Sequence, residues 1–354
     1  MAEEAPGTAA WDGGLKARVD GALHAFVAGE TALLTAIDPE LKPVSEQLTA
    51  AVADGKRLRA AFAYWGWRAA GQPDSEAMVR AATAMELVHA AAVVHDDLID
   101  DSPVRRGLPT AHLALRRAAP AGPGREAAGR ALAMLVGDLL TAWSGQLFAA
   151  CGLPAGYLSR ARPLWATLAR ELIAGECLEV LRTRAGAASE AGSLEIVRYK
   201  TAKYTVEHPL HLGALLGGAP PELLTALSAY GLPLGEAFQL RDDLLGVFGD
   251  PDRTGKSNLD DLAGAKPTAL LAVALDRSGP ADRARLRQLL EQPGPGELTE
   301  LRALLERSGA RARVEELIAE RTAAARRALT AARLPAPTTA ALDGLIGAAT
   351  ARTA

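Results

Sequence analysis

Two acidic segments are the parts of this sequence best suited to chemistry. Residues 96–101 read Asp-Asp-Leu-Ile-Asp-Asp after a largely apolar run; on a helix, Asp96 and Asp100 are i,i+4 neighbours and Asp97 and Asp100 are i,i+3 neighbours. Carboxylates on one face repel each other, and at a helix C-terminus they also oppose the helix dipole. One interpretation is a solvated acidic helix end. The other is a site for a hard cation such as Mg²⁺, which takes oxygen ligands.

A second acidic pair follows much later in the chain. Gln239 and Asp243 share a helix face at i,i+4, and Asp242 lies beside them. A single Asp-Asp pair is weak evidence of a site. Two such pairs facing each other would hold several Mg²⁺ ions around one diphosphate and neutralise the charge that develops on a leaving group.

Clusters of basic residues accompany the acidic segments. Residues 55–59 read Gly-Lys-Arg-Leu-Arg at a predicted helix start, where backbone N–H groups also favour anions, and Arg105 and Arg106 follow the first acidic segment. Five of the chain's seven lysines lie in such clusters, namely Lys56, Lys200, Lys203, Lys256 and Lys266. An ammonium group suits a phosphate oxygen as a point charge. Each cluster alone is typical of solvated surface, but together with the acidic pairs they predict two diphosphate sites, one bridged by metal and one held by side chains.

Composition limits the kind of protein that can carry these clusters. The chain has 354 residues, 49% of them hydrophobic, and a net charge of −3, which argues against a nucleic-acid partner or a polybasic membrane surface. Cys151 and Cys177 are far apart, as expected of free thiols in the reducing cytoplasm. The sequence contains no run of 18 apolar residues, so it predicts no membrane span. We expect residues 1–13 to be a disordered tail without a signal peptide, and residues 14–354 to form one domain.

The pattern of residue types predicts helices throughout. Ala, Leu, Arg and Glu dominate, and apolar residues recur at intervals of three and four. Gly/Pro clusters at residues 120–124, 152–154, 218–221, 293–296 and 334–337 should separate the helices. We therefore predict an all-α fold: a single bundle of ten or more helices around a central cavity.

The order of these motifs resembles the trans-isoprenyl diphosphate synthase (polyprenyl synthetase) family from about residue 50 to residue 270. The motifs that carry the resemblance are residues 55–59, 86–89, 96–100 with 105–107, 200–201, 238–243, and 255–256 with Asp261 and Lys266. The resemblance implies a prenyltransferase that uses Mg²⁺ to join isopentenyl diphosphate to an allylic diphosphate (dimethylallyl, geranyl or farnesyl). It also implies a homodimer.

The resemblance further implies a role for each matching residue. The metal ligands, for three Mg²⁺ ions, would be Asp96, Asp97, Asp100, Asp242 and Asp243. The allylic diphosphate would be held by Arg105, Lys200, Lys256 and Lys266. The isopentenyl diphosphate would be held by Gly55, Lys56, Arg59, His89 and Arg106. Thr201 and Gln239, with Lys200, would line the reacting carbons and stabilise the allylic cation.

The sequence departs from the family pattern at several positions. Gly246 stands where the family often has a third aspartate, for which Asp250 is a candidate substitute. Glu176 replaces a common glutamine, and His208 replaces a common arginine. No main phosphate or metal ligand is lost, so we expect an active enzyme.

Product length should depend on the helix that ends at Asp96, because the growing tail would run back along it. Ala92 and Ala91, four and five residues earlier, stand where the family's C15 synthases tend to carry aromatic residues; Val88 lies deeper, and Trp143 is a candidate stopper. Small side chains leave the path open, so geranylgeranyl diphosphate (C20) is the predicted product. C15, or C25 and longer, remain alternatives.

Two rival functions share the predicted fold. A terpene cyclase needs no second diphosphate site, so the intact cluster at residues 55–59 and Arg106 argue against it. A non-catalytic partner subunit tends to lose aspartates of the first acidic motif, and this chain keeps them all.

Overall fold

The computed structural model describes residues 14–185, 189–249, 266–291 and 297–350, and these residues are almost entirely helical. They form more than ten α-helices and one hairpin of two-residue strands, so the all-α prediction is confirmed. The described chain divides into an N-terminal unit (residues 14–161 and 213–218) and a C-terminal unit (residues 162–212 and 219–350). The single domain stays a prediction. The predicted tail (residues 1–13), Asp250, Lys256 and Asp261 lie outside the described residues.

Six complete α-helices, a short 3₁₀ helix (Pro39–Leu41), the hairpin and the ends of two further helices (residues 155–161 and 213–216) build the N-terminal unit. The helices are α1 (Leu15–Ile37), α2 (Lys42–Val52), α3 (Leu58–Ala69), α4 (Glu76–Ile99), α5 (Ala111–Ala118) and α6 (Arg125–Ala149). In the hairpin, β1 (Val104–Arg105) pairs antiparallel with β2 (Leu108–Pro109).

Helix α4 is the central element of this unit. Its N-terminus is capped by Ser75, whose hydroxyl accepts from the Met78 N–H at 3.3 Å, and its first turns are alanine-rich, which favours helix. It packs against α6, and side chains such as Met85 and Leu87 are fully buried. Both α4 and α6 are long and apolar enough to cross a membrane, but 67% of the apolar window of α4 is buried inside the protein, as in a core helix.

The C-terminal unit is also helical. Its elements are α7 (Ala155–Ala185, of which residues 162–185 belong here), α8 (Glu190–Ile196), a π-helical segment (Val197–Glu207), α9 (His208–Leu216, up to residue 212), α10 (Pro221–Phe248), α11 (Ala269–Arg277), α12 (Pro280–Glu291), α13 (Leu298–Arg307), α14 (Ala310–Ala331) and α15 (Ala336–Thr350). Its core consists of leucines and valines on α10 to α14, among them Leu240, Leu286 and Val314, each fully buried. The helix ends fall at the predicted Gly/Pro clusters wherever those clusters are described.

Candidate active site

The first acidic segment lies at the C-terminal end of α4. Asp96 is in the last turn and Asp100 follows it as the capping residue, with the Asp100 N–H donating to the Asp96 carbonyl at 2.9 Å. Both side chains are partly exposed, and the i,i+4 spacing places them on the same face of the helix end. Two carboxylates that repel each other and oppose the helix dipole are stabilised when a cation lies between them. This oxygen donor set fits Mg²⁺.

Asp97 has a different environment from its neighbours. Its carboxylate is almost fully buried and accepts from Arg105 of β1, with Nε 3.0 Å from Oδ1 and 3.1 Å from Oδ2, and it also accepts from Nη2. The same Nη2 atom lies 3.7 Å from Asp96 Oδ2. The contact that the structure shows for Asp97 is therefore with a cationic side chain, and its role as a metal ligand stays a prediction.

Asp101 is also held by neighbouring residues of this unit. Arg130 of α6 donates to its Oδ1 at 2.8 Å, and Nε2 of the buried His112 lies 3.4 Å from the same oxygen. Asp101 also has a left-handed backbone, with φ of 53°. Within the acidic segment, Asp97 and Asp101 are thus held by side chains of this unit, and Asp96 and Asp100 stay the main predicted metal ligands.

Arg57, in the middle of the basic motif, is structural. It is buried, its Nε donates to Asp20 at 2.6 Å, and its Nη2 donates to the Val52 carbonyl at 2.6 Å. Nearby, the buried carboxylate of Glu86 accepts from the Ala60 N–H at 2.9 Å in the first turn of α3 and lies 4.0 Å from Arg57 Nη1. Together, Arg57 and Glu86 hold the start of α3, and with it Arg59, in place.

Four arginines, namely Arg57, Arg59, Arg105 and Arg106, lie near enough to His89 to lower its pKa, and we refer to them with His89 as the guanidinium cluster. Burial, followed by the charges of these arginines, lowers the pKa of His89 well below its ordinary value of 6.5. Arg106 donates to the Asp54 carbonyl, and a Cβ built on Gly55 would lie 3.8 Å from Arg106 Nη2. Guanidinium groups beside a neutral imidazole suit a diphosphate, although Asp20 and Asp97 already accept from Arg57 and Arg105. The structure therefore brings together the residues predicted for isopentenyl diphosphate, with Lys56 exposed beside them.

In the C-terminal unit, two predicted lysines meet at one carboxylate. Lys200 Nζ lies 2.5 Å from Glu179 Oε1 and 3.0 Å from Glu176 Oε2, and Lys266 Nζ lies 3.7 Å from Glu179 Oε1. We refer to these four residues as the lysine cluster. Glu179 was not among the site residues predicted from the sequence, and Glu176 was identified only as a departure from the family pattern.

The second acidic motif is joined to the π-helical segment by a chain of hydrogen bonds. The Thr201 hydroxyl donates to Gln239 Oε1 at 2.8 Å, and Gln239 Nε2 donates to Asp243 Oδ1 at 2.8 Å. Between them in sequence, Arg241 makes a two-fold contact with Glu315 of α14, both at 2.7 Å. Thr201 and Gln239 are therefore brought together as predicted. Asp242 and Asp243 stay predicted metal ligands, and for Asp243 the structure shows an amide partner.

Two glycines allow the π-helical segment to lie directly against its neighbours. A Cβ on Gly175 of α7 would be 2.4 Å from the Lys200 nitrogen, and a Cβ on Gly235 of α10 would be 2.5 Å from the Ala202 Cα. The segment that carries Lys200 and Thr201 is thus in backbone contact with both helices. π-Helical turns are rare and occur often at functional sites.

Comparison with known proteins decides the family. The polyprenyl synthetase family model matches residues 41–307, well over half of the chain. The chain belongs to the polyprenyl synthetase family. It is therefore a prenyltransferase, and the resemblance predicted for residues 50 to 270 is confirmed.

Several members of the polyprenyl synthetase family are similar along most of the chain. A (2E,6E)-farnesyl diphosphate synthase of Mycobacterium tuberculosis is 32% identical over 257 residues, which cover 70% of this chain and 67% of that protein. A geranylfarnesyl diphosphate synthase of Aeropyrum pernix is 32% identical over 231 residues, covering 64% and 68%. Among solved structures, a Corynebacterium glutamicum geranylgeranyl pyrophosphate synthase complexed with isoprenyl diphosphate and magnesium superposes with a TM-score of 0.90 at 32% identity, covering 98% of this chain and 99% of its own.

In this polyprenyl synthetase, the residues predicted to control product length differ in orientation. On an α-helix, a residue four positions before Asp96 is rotated by about 40° from it, and one five positions before it by about 140°. Ala92 and Val88 are partly exposed, whereas Ala91 is 3% exposed. Trp143 of α6 is buried and packs edge-on against Phe26 at 6.1 Å. Ala92 is thus the nearer to the Asp96 face, and the control of product length stays a prediction.

Proposed function

We propose that this polyprenyl synthetase condenses isopentenyl diphosphate with allylic diphosphates and releases geranylgeranyl diphosphate. One observation carries the proposal: the chain has two separate cation clusters, each suited to its own diphosphate. The guanidinium cluster contains arginines and a neutral histidine, and the lysine cluster contains two ammonium groups among carboxylates. An enzyme that ionised a single allylic diphosphate, such as a cyclase, would need only one such cation cluster.

The allylic diphosphate is assigned to the metal ligands and the lysines. By the family resemblance, Asp96, Asp100 and Asp242 would hold three Mg²⁺ ions, with Asp97 and Asp243 in supporting positions. The metal would neutralise the charge on the departing diphosphate. Lys200, Lys266 and Arg105 donate to its oxygens. In support, Lys200 and Lys266 lie at one carboxylate, and Arg105 lies next to Asp96.

The isopentenyl diphosphate is assigned to Arg59, Arg106 and His89 of the guanidinium cluster, together with Gly55 and Lys56. Its diphosphate is held there while its double bond attacks C1 of the allylic substrate. The allylic C–O bond breaks, a C–C bond forms, and the released diphosphate takes the proton that the new chain loses. The Thr201 hydroxyl oxygen and the Gln239 carbonyl oxygen, 2.8 Å apart, are the neutral acceptors assigned to the allylic cation. An apolar surrounding protects that cation from water.

The C20 product is proposed from the side chains below Asp96. Ala92 is small and is the nearer of the two alanines to the Asp96 face, so we expect the path along α4 to be open beyond the third isoprene unit. Relatives of similar identity make products of different lengths, including farnesyl and octaprenyl diphosphates, so identity does not decide between them. We also propose a cytoplasmic homodimer, in keeping with the family resemblance.

Product analysis tests the proposal directly. The protein is incubated with isopentenyl diphosphate, Mg²⁺ and, in turn, dimethylallyl, geranyl or farnesyl diphosphate, and the products are dephosphorylated and separated by chromatography. We expect geranylgeraniol from each primer and no product when a chelator removes the metal. A cyclic hydrocarbon formed without isopentenyl diphosphate would support a cyclase instead, and the absence of any condensation would refute the proposal.

A further inference from the structure

We propose that Glu176 weakens the binding of the allylic diphosphate by competing with it for the ammonium group of Lys200. The inference rests on the proposed function, because it assigns the lysine cluster to that diphosphate. It makes Glu176 a residue that tunes affinity for one of the two substrates.

The geometry places Glu176 in direct competition with a bound anion. Its Oε2 lies 3.0 Å from Lys200 Nζ, and Glu179 Oε1 lies 2.5 Å from the same nitrogen. The side chains of Lys200, Glu176 and Glu179 are 17%, 20% and 14% exposed, so water screens these charges incompletely. When a diphosphate oxygen approaches Lys200, two carboxylates therefore already accept from the ammonium group.

The two carboxylates differ in what they contribute. Glu179 contacts both Lys200 and Lys266, so it keeps two ammonium groups close together despite their repulsion. The lysine contact shown for Glu176 is with Lys200 alone. Replacing Glu176 by a neutral residue raises the charge of the lysine cluster by one unit. Glu176 thus lowers the positive charge that a diphosphate meets at Lys200.

The position of Glu176 is set by the backbone. It follows Gly175, the residue at which α7 touches the backbone of Lys200. Because this contact fixes where both side chains begin, the backbone places Glu176 within reach of Lys200. Replacing the carboxylate by an amide should leave the backbone contact and the shape of the cluster unchanged.

A reason for weaker binding follows from the reaction itself. Each condensation produces an allylic diphosphate one unit longer, and the final one must leave the enzyme. A cluster with less positive charge holds a polyanion less tightly, which favours release. The carboxylate of Glu176 therefore lowers the affinity for the primer and makes release of the product easier.

The test compares Glu176→Gln with a control on the same helix. Glu171→Gln also removes a carboxylate from α7, but Glu171 pairs with Lys203 and His208, each at 3.0 Å. For each variant we would measure the inhibition constant of inorganic diphosphate against farnesyl diphosphate, and the KM of farnesyl and isopentenyl diphosphates. One charge-assisted contact corresponds to about a tenfold change or more in binding. In Glu176→Gln the inhibition constant and the KM of the primer should fall about tenfold, with the KM of isopentenyl diphosphate unchanged.

Each other outcome contradicts the inference in a distinct way. Unchanged constants in Glu176→Gln, or an equal change in Glu171→Gln, would show that Glu176 does not compete for Lys200. Loss of turnover with a higher Mg²⁺ requirement would mean that Glu176 binds metal. All of these presuppose an active wild type; a wild type without condensation would refute the proposed function instead. If Glu176→Gln is unstable in a melting curve, Glu176→Ser provides the same comparison.

Discussion

Replacing Gly175 by alanine should damage the enzyme through a single methyl group. The new Cβ would lie 2.4 Å from the Lys200 nitrogen, 2.7 Å from the Lys200 Cα and 2.8 Å from the Tyr199 carbonyl carbon. All three atoms belong to the backbone, so no side chain can rotate away. Carbon atoms in contact are about 3.5 Å apart or more. The π-helical segment must therefore move by about 1 Å relative to α7.

The displacement should affect both stability and catalysis. Overpacking of this kind costs about 1–3 kcal/mol of unfolding free energy. Lys200 and Thr201 move with the backbone, and a 1 Å misplacement of groups that position a substrate costs roughly 100-fold in rate. We expect kcat/KM for the allylic primer to fall by about that factor. The KM of isopentenyl diphosphate should change less, because the guanidinium cluster lies in the N-terminal unit.

Steady-state kinetics with each substrate varied, together with a melting curve, measure these effects. Gly156→Ala is the matched control, since Gly156 lies on the same helix and no atom lies within 4 Å of the position of its Cβ. The control should behave as the wild type. Wild-type kinetics in Gly175→Ala would refute the reasoning, because they would mean that the contact between α7 and the segment does not position Lys200.

Three further predictions concern the metal, the product and pH. Asp96→Asn should lower turnover by more than about 100-fold, because even outer-shell partners of a metal contribute about 10- to 100-fold. Ala92→Phe should shift the main product from C20 to C15, whereas Ala91→Phe should mainly lower stability, by about 1–3 kcal/mol, because Ala91 is buried. Burial lowers the pKa of His208 from 6.5 to about 4, so the unfolded chain takes up a proton before the folded protein does. Stability should therefore fall as pH is lowered from 6.5 to about 4, by at most about 3 kcal/mol from this group.

Controls for these predictions are available in the same chain. Asp101→Asn changes a neighbouring carboxylate that binds Arg130, and it should keep most of the activity. Near-normal turnover in Asp96→Asn would contradict the metal assignment, and a stable Ala92→Phe enzyme that still makes C20 would mean that the tail follows another path. His208→Gln keeps a donor towards Glu171 but does not titrate, so denaturant unfolding between pH 7 and pH 4 should show a shallower loss of stability. An equally steep loss would show that other groups cause it.

Residue types and spacing in the sequence predicted most of the chemistry. The acidic pairs, the basic motif at residues 55–59 and the 3.6-residue periodicity were enough to predict helices, Mg²⁺ and two diphosphates. These features are local, because a helix places residues i and i+4 together wherever it forms. The family match and the described helices confirm the family and the helical fold, whereas the residues assigned to Mg²⁺ and to the two diphosphates stay predictions.

Only the tertiary structure decided which side chains these charges contact. Nothing in the spacing of the basic motif indicates that Arg57 donates to Asp20, 37 residues earlier. Asp97 is bound by Arg105 of a hairpin, and Lys200 is paired with Glu179 of another helix. A charge is cancelled by whatever packing brings within a few ångströms of it, and spacing along the chain does not contain that information. The sequence by itself therefore determined which chemical groups the protein has, and the tertiary contacts determined which of them are paired with one another.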